Sequence, residues 1–379
     1  MGQPTIKFYN KEGKDFVSEL KSRVDQYFKK NEISPNSNFD MVVKTIAIFG
    51  VYFGAYALIL SNILPIWGMW LGCVVMGMAT AGIGFSIAHD SLHGAYSKHK
   101  WLNRLLGLSM DMIGGSGYMW KITHNNIHHT YTNIHEVDAD LEVTSIMRLS
   151  PRQDYKKIHR FQQYYFIFIY SFASFFWVFL KDYVKFTQNG MVGTKSGKHP
   201  TPDIIKFFAG KLVYYAYIIV IPLLVLHNVA WWQFAIGFMT MHLTAGAILG
   251  IIFQLAHVVE ETEHLMPDET GMMENAWAIH QFRTTANFAP TNKFLTWYVG
   301  GLNFQVEHHL FPNVCSVHYS KLSPIVKSVA KEFGIPYHMH KSFRAAVASH
   351  RRVLTILGKN KIVPVSIPVK PTLIAKTAY

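Results

Sequence analysis

Charge is what this sequence has least of. Only 16% of its 379 residues are Asp, Glu, Lys or Arg, against about 25% in soluble domains. The shortage is concentrated: no charged residue occurs from Thr45 to Ala88 or from Leu212 to Val259. A bilayer span takes about 20 apolar residues, so each stretch holds two spans and excludes a water-facing surface there. Acidic residues are scarce as well, 23 against 36 basic ones, for a formal charge of +13. In a soluble chain that excess would suggest nucleic acid. Beside long apolar runs it points to basic cytoplasmic segments, attractive to anionic headgroups or an acidic redox partner, and no nucleic-acid partner is expected. Cysteine is nearly missing. Cys73 and Cys315 are the only two, which excludes a disulfide framework or a cysteine zinc site and agrees with a reducing compartment. The first apolar run begins near residue 42, too late for a signal peptide, and Ile6 stands where a myristoylated start carries Ser or Thr.

Aromatic residues, by contrast, make up 15% of the chain, and many Trp and Tyr flank the apolar runs, as interfacial anchors do. Ser61-Asn62-Ile63-Leu64-Pro65 breaks the first long run and His227-Asn228 the second, because Pro, Asn and Ser favour turns. The spacing predicts spans at about 42–62, 66–88, 209–227 and 231–256. Residues 1–40 are polar and basic, with Phe16, Leu20, Val24 and Phe28 on one face of a helix expected to pack on the cytoplasmic part. Residues 41–358 form one unit. Residues 359–379, with Pro364, Pro368 and Pro371, are expected to be extended. Two further amphipathic stretches are expected, one with Leu102, Leu105, Leu106 and Met110 at the interface, the other with Leu322, Ile325, Val329 and Phe333. The expected fold is an all-α integral membrane protein: two transmembrane helical hairpins, four spans, under a cytoplasmic helical cap.

Of the 20 histidines, singles such as His159, His199, His338 and His350 are expected at the surface or at helix caps. The clusters differ. His89 and His93 stand at i and i+4, so both rings project from one helical face and can grip one metal or face two adjacent ones. His124 and His128 repeat the spacing, with His129 about 100° away, and His308-His309 repeats the adjacent pair. Zinc is satisfied by four ligands; seven clustered imidazoles suit a dinuclear centre of another imidazole-binding metal. His257, at the end of the last span, is an eighth candidate. Asp90, Asp138, Asp140, Asn125 and Glu307 are placed to orient the rings. If the clusters build one site they share a side, and an even number of spans separates the second from the third. The apolar run 164–180 is therefore expected in the interface, dipping in and returning at most. Lys98, Lys100, Arg104, Lys121, Arg148, Arg152, Lys156, Lys157 and Arg160 share the cluster side, which makes it cytoplasmic.

In these residues the chain resembles the membrane fatty acid desaturases, whose pattern is H-x(3,4)-H, H-x(2,3)-H-H and [H/Q]-x(2,3)-H-H on the cytoplasmic side of two hairpins. Here the boxes read HDSLH, HNNIHH and QVEHH. The likeness runs through WKITHNNIHHTYTN, FQLAHVVEET, HQFRTTANF, GGLNFQVEHHLFP and LSPIVKSVAKEFGIPY, nearly the whole chain from about residue 40. The resemblance implies a di-iron centre held by His89, His93, His124, His128, His129, His257, His308 and His309, with O2 as oxidant. Gln305 stands where many relatives have a further His. That Gln is typical of front-end enzymes, which commonly make Δ5 or Δ6 bonds in a fatty acyl-CoA (linoleoyl-CoA among them) or acyl-lipid. Many of these carry a fused cytochrome b5 domain with a His-Pro-Gly-Gly motif. None is present, and 40 residues are too few for one. A separate electron donor of cytochrome b5 or ferredoxin type is thus implied, and a bacterial inner membrane rather than the endoplasmic reticulum.

The acyl chain is expected in an apolar tunnel among the four helices, bent at the irons. Gln305, Trp120, Trp277, Thr285 and Asn287 are the candidate substrate-binding residues, with Trp297 a further candidate for the tunnel's wall or mouth, and Lys121 and Arg283 candidates for a phosphate. A hydroxylase or ketolase of the same superfamily would share the boxes. A haem-bearing electron carrier would need His pairs facing one another within the bilayer; His242 lies deep in a span with no evident partner. A metal transporter would need ionisable residues along the spans, which are almost free of them.

Overall fold

The charge-free stretches fold into long helices in the computed structural model, which describes residues 6–9, 13–138, 140–141, 144–188 and 198–359. Four helices are long and apolar enough to cross a membrane: Phe39–Leu60, Ile66–Leu92, Thr201–Val225 and Trp231–His257. Asn38 caps the first, its side chain accepting from Met41 N at 3.0 Å. Asn62 turns the first hairpin at φ 56°, a left-handed conformation that Asn tolerates better than most residues. The second span is the centre of the bundle. Its apolar window is 67% buried, against 22–33% for the others, which turn Ile46, Leu58, Leu212 and Leu224 outward as a lipid-facing surface would.

The third span begins at Thr201, earlier than the expected 209, taking in Asp203 and Lys206 ahead of the charge-free run, and it carries Lys211 within the expected range. That lysine is buried, its Nζ 2.7 Å from Asp182 Oδ2 and donating to the carbonyls of Gly114 and Val178. A charge so fully paired can stay inside. The same span contains Pro222, preceded by a π-turn at Ala216–Val220. Proline lacks the N–H that an upstream carbonyl needs, and the Tyr56 hydroxyl donates to Tyr217 O instead.

The apolar run near 164–180 does not form one straight helix. Lys157–Ser171 and Ala173–Thr187 meet at 57°. The apex is seated on the fourth span at Gly246 and Gly250. A Cβ at Gly246 would stand 2.0 Å from Ser171 O, and one at Gly250 2.9 Å from Tyr170 Cβ. Another surface helix, Lys100–Gly107, turns Trp101 and Leu105 outward, as a helix lying in the interface does.

The N-terminal helix Lys14–Lys30 buries the four residues its spacing singled out, Phe16, Leu20, Val24 and Phe28. They pack on Phe282, Phe304 and the face Leu322, Val326 and Val329 of helix Tyr319–Glu332. Each such burial contributes about 1.5–3 kcal/mol. Two short parallel pairings, Lys7–Phe8 with Met272–Met273 and Asn287–Phe288 with Met339–His340, tie the cap together. The tail from residue 360 lies outside the described residues. Two of the singles expected at the surface or at helix caps are buried, His159 as a cap at the start of Lys157–Phe161 and His350 away from any such place. His159 holds Ser145 O and the Lys156 N–H, and His350 bridges Val258 O and Tyr170. His242 also has partners, Ser174 and Tyr214, both supplied by other helices.

Candidate metal centre

The first histidine cluster leaves the second span through a π-turn at Ile83–Ala88; His89 comes immediately after it and His93 ends the last turn. Such turns concentrate at functional sites, since the extra residue rotates the side chains beyond it to a new direction. The loop carrying the third cluster comes directly against it. Gly300 has φ 59°, and a Cβ there would stand 2.5 Å from Phe85 O, so both the conformation and the close approach require glycine.

A second π-turn, Lys121–His128, succeeds Gly117–Trp120, whose start is capped by the Ser116 hydroxyl. It settles the choice that spacing left open. In i→i+5 winding the residue five on comes alongside, and His124 Nε2 lies 3.2 Å from His129 Nε2. His124 groups with His89, His93 and His308. His128 groups with His257 and His309. His129 joins His308 and His309 between them. Within each group the ring nitrogens lie within 4.8 Å of one another. All eight histidines meet in one pocket, although 180 residues of chain separate His128 from His308 (308 − 128). Two crossings between His129 and His257, by the third and fourth spans, fit one shared pocket, with the bent pair Lys157–Ser171 and Ala173–Thr187 as a re-entrant segment.

The rings are aimed from behind. Asp90 Oδ1 lies 3.3 Å from His89 Nδ1, Asp140 Oδ2 3.1 Å from His124 Nδ1 and Asp138 Oδ2 2.9 Å from His128 Nδ1. Tyr319 Oη is 3.3 Å from His308 Nδ1, Gln281 Oε1 2.9 Å from His309 Nδ1 and Thr284 O 3.4 Å from His257 Nδ1. A partner on one nitrogen fixes tautomer and orientation, leaving the other as a lone-pair donor. On the inner side, His89 Nε2, His93 Nε2, His128 Nε2, His308 Nε2 and His129 Nδ1 are buried with no hydrogen-bond partner. Buried polar atoms left bare are rare, and here they converge. Burial pushes His124 down to about 3 despite Asp140, and holds His93, His129, His308 and His309 well below the ordinary imidazole value. Neutral imidazole is the metal-binding form. His128 runs the other way: burial opposes protonation, but the Asp138 carboxylate outweighs it.

Gln305 lies among the ligand candidates. Its amide nitrogen is 3.1 Å from His257 Nε2 and 3.4 Å from His309 Nε2. Trp120 stacks on His124, ring centroids 4.3 Å apart, with its edges to His89 and His93. Trp277 donates to His129 O at 2.9 Å. Thr285 is fully buried and donates to Gln281 O. Asn287 accepts from Val306 N and donates to Glu307 and Tyr337. Glu307 faces that frame, not a ring, and burial pushes its carboxyl up to about 7. Asn125 holds Leu92 O. Arg283 is engaged with Glu263 at 2.6 Å, and Lys121 is exposed. Tyr319, Gln281, Thr132 and Asn133 escaped the sequence reading. Asn133 ties together the carbonyls of His257, Glu263 and Thr284. No local spacing marks such residues, since their partners come from distant segments.

Four apolar spans beneath a pocket of orphaned imidazole nitrogens define a membrane metalloprotein. A family model described as fatty acid desaturase matches residues 65–341. The chain is 39% identical to the sn-1 linoleoyl-lipid 6-desaturase of Synechocystis sp., over 93% of this chain and 98% of that protein. It is 37% identical to the protein of that name from Arthrospira platensis, over 88% and 90%, and 34% identical to the acyl-lipid (8-3)-desaturase of Physcomitrium patens, over 93% and 74%. The chain belongs to the fatty acid desaturase family and is an oxidoreductase.

Proposed function

We propose that this protein introduces a cis double bond at the Δ6 position of a linoleoyl chain carried on a membrane glycerolipid, using two iron ions, O2 and electrons from a separate carrier. The observation that carries the reading is the set of bare, buried imidazole nitrogens among the grouped histidines, six of the eight rings being fixed from behind. His89, His93, His124 and His308 would hold one iron, and His128, His257 and His309 the other, with the Gln305 amide oxygen available as a further donor once the side chain is turned about its terminal bond. That turn exchanges O for N and is set by whatever the amide faces. His129 stands between the groups. Two of the relatives act, by their names, on linoleoyl lipids at position 6, which supports both carrier and position.

Bound iron supplies the one chemistry that side chains lack, removal of hydrogen from an unactivated methylene. The remaining work falls to the chain. Asp90, Asp138, Asp140, Tyr319 and Gln281 keep the ligand rings aimed. Trp120 walls the first group with an apolar face, and the cap excludes water. The acyl chain runs between the hairpins. An apolar cavity of about 360 Å³ opens there, lined by Ile59, Met69, Cys73, Met76, Ile218 and Met241 among others. Met76 precedes His89 by 13 residues and Met241 precedes His257 by 16 (89 − 76; 257 − 241). At 1.5 Å per residue the cavity lies roughly 20–24 Å from the ligands, on the side where the methyl end belongs. The basic residues beside the histidines support a pocket on the cytoplasmic face of the membrane and suit an acidic electron donor.

Expression in a host without polyunsaturated fatty acids, fed linoleate, tests this through the fatty acid methyl esters. A new Δ6 triene on glycerolipid is the expected product. A hydroxy acid in its place would rule out desaturation as the main activity, and no product together with no bound iron would remove the whole reading.

A further inference from the structure

A lysine stands on the inward stripe of the first span. Met41, Lys44, Thr45, Ile48, Tyr52, Ala55 and Ile59 are the buried residues of Phe39–Leu60, and Lys44 is only 4% exposed. Near a membrane surface the easy course for lysine is to lie outward with its ammonium among the headgroups. An ionisable group turned into the bundle instead marks a functional position. Among the described residues Lys44 has no carboxylate within ion-pair distance; its ammonium lies over the ring of Trp297, 5.7 Å from the centroid. Asp90, Cys315 and Asp40 face it at longer range. Asp90 is already committed: Oδ2 accepts from Ser316 N, Ser316 Oγ and Cys315 Sγ, and Oδ1 lies against His89. The Lys44 ammonium thus has no protein acceptor among the described residues, although the side chain as a whole is buried.

The surroundings say what would supply one. Trp297 is 42% exposed and lies on the short helix Lys293–Tyr298, whose Phe294 is 75% exposed. Tyr298 pins that helix to the second span by donating to Met78 O. Lys44 of the first span and Trp297 of this helix therefore meet beside apolar side chains that face outward, and Asp90, next to His89, faces Lys44 from within.

We propose that Lys44, backed by Trp297, anchors the ester end of the acyl lipid as it enters from the bilayer, the ammonium donating to the acyl carbonyl oxygen and adjoining headgroup oxygens. This rests on the Δ6 acyl-lipid reading above. A bond near the carboxyl end requires the ester to be held only a few carbon–carbon bonds from the irons, and Lys44, Asp90 and His89 are consecutive neighbours. A lipid ester stays in the plane of the membrane surface, so its anchor has to sit at that depth and face inward.

The test uses the full chain, loaded with iron, in nanodiscs containing dilinoleoyl phosphatidylglycerol, with Lys44→Met, Lys44→Arg and Trp297→Leu beside the wild type. Lys44→Met is expected to raise KM for the lipid about tenfold or more, the loss of a charge-assisted hydrogen bond, and more than it lowers kcat. Lys44→Arg should recover most of this, and Trp297→Leu should give a smaller rise. Native mass spectrometry should find less co-purified phosphatidylglycerol on Lys44→Met at equal iron content. Unchanged KM and lipid retention would overturn the anchor. So would iron loss in Lys44→Met that arginine does not restore, or an equal KM rise for linoleoyl-CoA. If the wild type puts its bond elsewhere than Δ6, the functional reading fails on product mapping alone, while the difference in lipid retention still decides the anchor.

Discussion

Two buried histidine environments in this protein look alike until their nitrogens are traced. In the middle of the bundle His242 is surrounded by apolar side chains, with Nδ1 3.0 Å from Ser174 Oγ and Nε2 2.9 Å from Tyr214 Oη. Both ring nitrogens are used, and the group is closed. At the membrane surface His89, His128 and His308 are just as buried, but each has one nitrogen fixed from behind and the other bare. Burial does not separate a structural histidine from a ligand. What marks the ligand set is that its unfilled nitrogens belong to rings grouped within 4.8 Å of one another, whereas the single unfilled nitrogens of His264 and His280 belong to no such group among the described residues.

The sharpest way to break that contrast is to remove one histidine of each kind. His308→Ala takes a nitrogen that serves two of the three groups. It should abolish detectable desaturation and strip iron from the purified protein, read by metal analysis and product formation. His242→Phe should keep full iron occupancy; iron loss as complete as in His308→Ala would erase the distinction. Next in size, Asp138→Asn leaves every ligand in place but weakens what aims His128. Iron affinity is expected to fall about 10–100-fold, as such outer partners typically contribute, measured by competition with a chelator.

Smaller effects fall on stability. His242→Phe leaves Tyr214 and Ser174 without their shared partner, at a cost of about 1–3 kcal/mol, visible as a lower midpoint of thermal unfolding in detergent. Acid should destabilise the fold through histidines outside the pocket. Burial pushes His264 and His350 down to about 4, from about 6.5 in an unfolded chain. Above pH 6.5 both states are neutral and nothing changes. Between 6.5 and 4 the unfolded chain takes up protons that the folded one refuses. Each group then removes up to about 1.4 kcal/mol of stability per pH unit. His350→Gln should flatten the fall of the unfolding midpoint between pH 7 and 5; an unaltered slope would show that His350 does not titrate on unfolding.

Much of this molecule is legible in its sequence because two periodicities and one absence are written there. The charge-free runs locate the spans, since no charged residue is tolerated in hydrocarbon without a partner. The i, i+4 histidines and adjacent pairs locate the pocket, and the four-residue spacing of Phe16, Leu20, Val24 and Phe28 locates the face that docks the N-terminal helix. The same rule failed at Lys211, whose partner Asp182 lies 29 residues away and is invisible to any local count.

How the histidines divide, and where the remaining polar groups point, emerges only in three dimensions. A π-turn cannot be read from spacing alone, yet the one at Lys121–His128 sends His124 and His128 to different groups. Gln281, Tyr319 and Asn133 acquire their roles from chain segments far away in sequence, and Gln305 proved to be a neighbour of His257, 48 residues distant. Residue types and apolar faces are set along the chain itself, because they depend on composition and helical period. Partnership depends on distances in space, and these exist only once the spans have packed.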